Sequence, residues 1–174
     1  PPGPAQHGGH VLHASRAQEL WEALGNLGSL AQTLNNLGTA YHQQGRFAAA
    51  QERLAEAIAK GGMSGVRRTE AMALVSMGAV LTDLDDFSSA IDHYERGLAI
   101  ARAIPDHALV CDALAASAEA HRLAGKLADA RGLLGRARES LASGRQLLVF
   151  PEGTRTNTPP LNPFKGNFAL MAKQ

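Results

Sequence analysis

The residues best suited to chemistry lie near the C-terminus, in Val149-Phe-Pro-Glu-Gly-Thr-Arg155. A guanidinium such as that of Arg155 grips a phosphate through two parallel hydrogen bonds. Backbone amides around a glycine such as Gly153 can line an anion site. Two other groups invite chemistry and lose it on inspection. His7, His10 and His13 fall three residues apart, but no further strong ligand follows at a suitable spacing, so no metal site is expected. Cys111 is the single cysteine, which excludes an internal disulfide framework and suits a reducing compartment. Inside a helical segment it reads as a small buried hydrophobe.

The elements that must position these groups come from a repeat. Leu34-Asn-Asn-Leu-Gly-Thr-Ala-Tyr41 runs through Gly45-Arg-Phe-Ala-Ala-Ala50 to Leu54 and Ala57, and the same skeleton recurs forty residues later and forty after that. The columns read Leu37/Met77/Ser117, Gly38/Gly78/Ala118, Tyr41/Leu81/His121 and Gly45/Asp85/Gly125. Further down come Ala50/Ala90/Ala130, Leu54/Tyr94/Leu134 and Ala57/Gly97/Ala137. Small residues stand where two helices approach closely, and larger apolar residues fill the space between. A fixed period of this kind marks a stacked helix-turn-helix array.

The first helices are expected at 30–43, 68–83 and 108–123, and the second helices at 47–60, 87–103 and 127–142. Gln44-Gly45-Arg46, Asp85-Asp86 and Gly125-Lys126 separate the members of each pair. Asp86 is suited to cap the helix that starts at Phe87. Gly61-Gly62-Met63-Ser64-Gly65 and Ile104-Pro105-Asp106 read as helix stops between pairs. Residues 10–28 read as the second helix of a truncated preceding pair, with Leu12, Ala17, Leu20, Trp21 and Leu24 on one face and Gly25 to Gly28 ending it. Trp21 is taken as a packing residue. Residues 1–9, rich in Pro and Gly, read as a disordered leader.

The segment 144–174 breaks the pattern. Leu147 to Phe150 is a short apolar run bounded by Pro151 and Gly153, which reads as a buried strand. A Pro-rich loop and a helix-like stretch from Phe168 to Lys173 follow. Some thirty residues are too few for a separate core.

Composition agrees with one globular helical domain: 45% of residues are apolar, 19% charged and only 5% aromatic. The core must therefore be built from Ala and Leu at close helix separation. The formal charge is +1, but unevenly spread. Residues 145–174 hold Arg145, Arg155, Lys165 and Lys173 against Glu152, a balance of +3, while the rest hold 13 basic and 15 acidic residues, a balance of −2. A weakly acidic array is not expected to grip nucleic acid. No apolar run approaches the roughly 18 residues of a membrane span, and no signal segment is visible. The chain begins with Pro rather than Met, which points to a piece of a longer protein.

The sequence N-N-L-G-x-A-Y…G-R-F…A…L…A resembles the tetratricopeptide repeat over about residues 10–143. The resemblance implies an all-α fold, a right-handed superhelix of stacked antiparallel helix pairs. The first helices then line a concave groove that receives a peptide or partner helix. In the family, groove residues fall at positions 2, 5, 9 and 12 of each repeat. Here those are Gln32, Asn35, Thr39 and His42, then Met72, Val75, Ala79 and Thr82, then Asp112, Ala115, Glu119 and Arg122. The cluster that clamps a C-terminal carboxylate in some arrays is absent.

The tail resembles a signature of the lysophosphatidic acid acyltransferase family. That resemblance implies that Glu152, Gly153, Thr154 and Arg155 shape the phosphate site of an acyl acceptor, with Lys165 a further contact. The usual second block, F-K-x-G, is one residue short in Phe164-Lys165-Gly166. The same family uses an H-x-x-x-x-D pair. The one such string here, His107-Ala-Leu-Val-Cys-Asp112, falls inside the third repeat and reads as a loop His and a helix-start Asp. Three functions are thus weighed: a binding module, a phospholipid-biosynthesis acyltransferase, and a regulatory or scaffold segment of a larger bacterial protein. The residues favour a cytoplasmic, non-enzymatic protein-interaction module with no cofactor and no catalytic residue. The origin of the joined tail (a fusion, a gene-model artefact or a partial neighbouring domain) stays open.

Overall fold

The computed structural model describes residues 14, 16–104 and 106–142. The expected leader, the strand at Leu147–Phe150, the helix-like stretch after it and Pro105 lie outside the described residues. Among those described there are seven helices and no strand. A short helix over 16–23, α1, is followed by α2 (Leu27–Gln43), α3 (Phe47–Ser64), α4 (Arg67–Asp83), α5 (Phe87–Ala103), α6 (His107–Leu123) and α7 (Leu127–Ala142). From α2 onward each helix packs on the next, and α4 also touches both α2 and α6. The first helices of the pairs thus form one layer, and α3, α5 and α7 form the other.

Small residues bring the pairs together. A Cβ on Gly38 would stand 2.5 Å from Leu54 Cγ, and one on Gly78 would stand 2.6 Å from the Tyr94 ring. Both approaches need glycine, as the columns anticipate. Leu34, Leu54, Leu74 and Leu114 are fully buried around these contacts, each stabilising the fold by roughly 1.5–3 kcal/mol. Trp21 packs on the cluster of Leu30, Leu34, Ala57 and Ala73, so α1 does close the first pair. Leu20 and Leu24, expected on the same face, are exposed.

Left-handed backbone occurs at Gly25, Gly45, Gly65, Asp85 and Gly125, at intervals of twenty residues or a multiple of it. The repeating unit is therefore a single helix of about seventeen residues with a three-residue turn, and the forty-residue period is two of them. Asn26, Asp86 and Asp106 cap the helices that follow, accepting from the amides of Ser29, Ser89 and Leu109 at 3.0–3.1 Å.

The expected stop at Gly61-Gly62 is corrected. α3 runs through both glycines to Ser64 and ends at Gly65, with φ 71°. Gly61 is small for another reason: a Cβ there would lie 3.0 Å from the Glu70 backbone nitrogen, where α4 crosses. Similarly Gly28, read as part of a stop, lies inside α2, whose N-cap is Asn26.

Candidate functional site

The layer formed by α2, α4 and α6 carries every expected groove residue, and hydrogen bonds tie its strands of side chains across repeats. Thr69 donates to Gln32 Oε1 at 3.4 Å, and Ser76 donates to Asn35 Oδ1 at 3.1 Å. His42 Nε2 lies 2.7 Å from Asp83 Oδ2, with its ring tilted against Phe47 at 5.9 Å. These three rungs cross the α2–α4 seam from one end to the other. At the next junction Arg68 of α4 pairs with Asp106, the N-cap of α6, at 2.7 Å. Val75 and Ala116 pack into the apolar clusters instead.

The rungs divide the expected residues by role. Asn35 is only 4% exposed, so its carboxamide holds the next repeat rather than facing a partner; its place in the groove is corrected on that ground. Thr39 and Thr82 turn their hydroxyls back onto their own helices, to Asn35 O at 3.0 Å and Gly78 O at 2.8 Å. Gln32 and His42 are half-buried. Gln32 also donates to Asn36 Oδ1 at 3.1 Å.

Met72, Val75, Ala79 and Ala115 are half-buried and give the layer a small apolar floor. Met72 Sδ sits 3.3 Å from Arg68 Nη1.

Charge enters from α6. Asp112 is exposed, and no cation pairs with it among the described residues. Yet the surrounding protein desolvates its carboxylate, and together with the Asp106 charge this raises its pKa. Glu119 and Arg122 form a two-point pair at 2.7 and 2.6 Å, and the Arg122 guanidinium holds the Glu119 carboxyl below its usual range. At Asp106, burial pushes the pKa up, but the Leu109 amide and the Arg68 guanidinium outweigh it and hold the carboxyl low.

The inter-repeat partners Thr69, Ser76, Asp83 and Arg68 were not legible as such. Their signal is the offset: Asn35 to Ser76 and His42 to Asp83 are each 41 residues apart, one period plus one residue.

His107 and Asp112 do not assemble as a pair. His107 opens α6 and Asp112 lies five residues on, a rotation of about 500° along an α-helix. The two side chains therefore leave the helix roughly 140° apart and cannot form the hydrogen-bonded pair that a general base needs. Cys111 is buried and free, as expected. No group of three metal-ligating side chains occurs among the described residues. No helix among them is long and apolar enough to cross a membrane. Glu152, Gly153, Thr154, Arg155 and Lys165, like the three N-terminal histidines, lie outside the described residues.

Stacked helix pairs, with the first helices in contact as one layer, define a helical-repeat solenoid. The chain belongs to the tetratricopeptide repeat family, whose model matches residues 13–60 and 69–143. Its fold is similar to the crystal structure of BtubC (BKLC) from P. vanneervenii, with a TM-score of 0.72 at 18% identity over 85% of this chain and 61% of that one. It is also similar to a Rap protein crystallised in complex with Competence and Sporulation Factor. There the TM-score is 0.67 at 16% identity, over 76% of this chain and 38% of that one. The chain thus spans less than two thirds of either structure's length. No curated protein matches it, and the family match ends at residue 143, short of the segment 145–174 that resembles acyltransferases.

Proposed function

We propose that the chain is a protein-interaction module whose α2–α4–α6 layer receives a peptide or a partner helix. The observation that carries this reading is the exposed carboxylate of Asp112, paired with no cation among the described residues, on the same layer as the half-buried Met72, Val75, Ala79 and Ala115. Apolar side chains of a partner settle on that floor, and a lysine or arginine of the partner meets Asp112. Gln32, His42, Glu119 and Arg122 form the polar margins. A Rap protein, of similar fold, binds Competence and Sporulation Factor, which supports a ligand-receiving role for such a layer. The module is non-enzymatic and serves a larger regulatory or scaffold protein.

The test is selection of peptides from a displayed random library against the whole chain. The expected result is enrichment of sequences with a basic residue flanked by apolar ones, bound at least about tenfold more weakly by Asp112→Arg. Failure to enrich any sequence, or enriched peptides indifferent to both Asp112→Arg and Met72→Glu, overturns the reading.

A further inference from the structure

Among the described residues the last pair, α6 and α7, lacks what each earlier pair has, a following inner-layer helix. Burial records the difference column by column. Leu54 and Tyr94 are 0% and 2% exposed, whereas Leu134, in the same column, is only half-buried. Gln32 and Met72 are half-buried, whereas Asp112 in their column is exposed. Both columns face the next inner helix: Leu54 clusters with Met77, Val80 and Leu81 of α4, and Gln32 accepts from Thr69. Asn35, one turn on, is engaged by Ser76, and its column ends in the half-buried Ala115.

The end face is thus apolar at Ala115 and Leu134 and acidic at Asp112. The neighbouring acids are engaged, Glu119 by Arg122 and Asp106 by Arg68. Asp112 has no such cation among the described residues.

The direction of the chain carries residues 143 onward to this face. α6 and α7 pack on each other and are joined by the turn Ala124-Gly125-Lys126, so they run in opposite directions and the start of α6 lies beside the end of α7. Counted from Gly125, Asp112 is level with Arg138, about 6 Å short of Ala142 along the helix, on an axis about 8–10 Å away. Arg145 is three residues past Ala142, about 10 Å of extended chain, so its guanidinium reaches Asp112. The run Arg145-Gln-Leu-Leu-Val-Phe150 joins one cation to four apolar side chains. It is the complement of one carboxylate beside two uncovered apolar residues. The wider balance agrees, +3 over residues 145–174 against −2 for the rest.

We propose that the chain's own segment 145–150 docks on the α6–α7 end face, with Arg145 on Asp112 and Leu147 to Phe150 over Ala115 and Leu134, and so competes with a partner for Asp112. The competition rests on the reading of this layer as a peptide-binding surface, whereas the docking does not. A tethered segment acts at an effective concentration of the order of millimolar, which a partner must outbid.

The experiment is hydrogen–deuterium exchange of the whole chain at two protein concentrations, read by mass spectrometry. Relative to intrinsic rates, the amides of 145–150 are expected to exchange at least about tenfold more slowly than those of 156–174, independently of concentration. Asp112→Arg and Arg145→Glu each remove the protection, and the two together restore it by reversing the pair; circular dichroism checks that each variant keeps its helices. A synthetic peptide of residues 145–155 is expected to bind the Arg145→Glu chain about tenfold more tightly than the unaltered chain, and equal affinity overturns the competition. The docking is overturned if 145–150 is unprotected, if its protection grows with protein concentration (the tail then lies on a second copy), or if protection ignores both charge reversals. Foreign peptides held through Asp112 while 145–150 stays unprotected uphold the peptide-binding surface and sink this proposal; protection with no foreign peptide selected does the reverse.

Discussion

The first two full repeats and the third share one register and differ in what fills it. In the first, Leu54 closes over Gly38; in the second, Tyr94 closes over Gly78. In the third, Ala118 replaces the glycine, and Ser117 and His121 replace larger apolar residues. Gly132 and Gly135 there have nothing within 4 Å of an added Cβ. The same backbone thus gives a jammed seam at one end of the array and a cleft over His121 at the other. What decides between them is the summed volume at a few columns, not the presence of the repeat.

The widest separation should come from adding bulk to glycine. Gly38→Leu or Gly78→Leu is expected to cost on the order of 1–3 kcal/mol by overpacking, whereas Gly132→Leu should cost nothing. Chemical denaturation of the three variants checks this, and equal losses would erase the contrast.

Alkali should find the second repeat alone. Burial, more than any other cause, pushes the Tyr94 phenol up to about 12 from 10.0. A raised folded-state pKa means the stabilisation is complete below pH 10 and is lost as the pH climbs towards 12. The melting temperature should therefore fall over that window, and Tyr94→Phe should flatten the fall. Leu134 holds the same column in the third repeat, so that pair contributes no such limb.

His121→Leu restores the residue type found at Leu81. It should raise stability by about 1 kcal/mol through added apolar burial, read as a higher denaturation midpoint. The smallest effect belongs to Asp85, the one non-glycine in left-handed backbone among the described turns, with φ 60°. Asp85→Gly should relieve that strain by about 0.5–1 kcal/mol, whereas Gly45→Ala should lose a similar amount.

Much of this was legible from spacing. The columns located the close approaches at Gly38 and Gly78, and the bounds of α5 and α7 agree with the expected ones. α3 was misjudged because two adjacent glycines look like a stop, although one of them is small to admit α4. Asn35 shows why the groove was only half visible: repeat position marks which helix face a residue occupies, but not whether a hydroxyl forty-one residues away already engages it. The cleft over His121 escaped because no single column announces it. It needs several changes of size read together, on two helices distant in sequence.

The twenty-residue spacing of the turns makes the length of the array a quantised variable. Adding or removing forty residues returns each later helix to the same side of the superhelix, with every junction still matched to its neighbour. Twenty residues would set two inner-layer helices in succession. A single residue inside a helix would rotate everything beyond it by about 100° and turn buried leucines to water. Such a scaffold can change in size only by whole pairs, while the turns at Gly25, Gly45, Gly65 and Gly125 are the places where a graft or a marker can enter without disturbing the count.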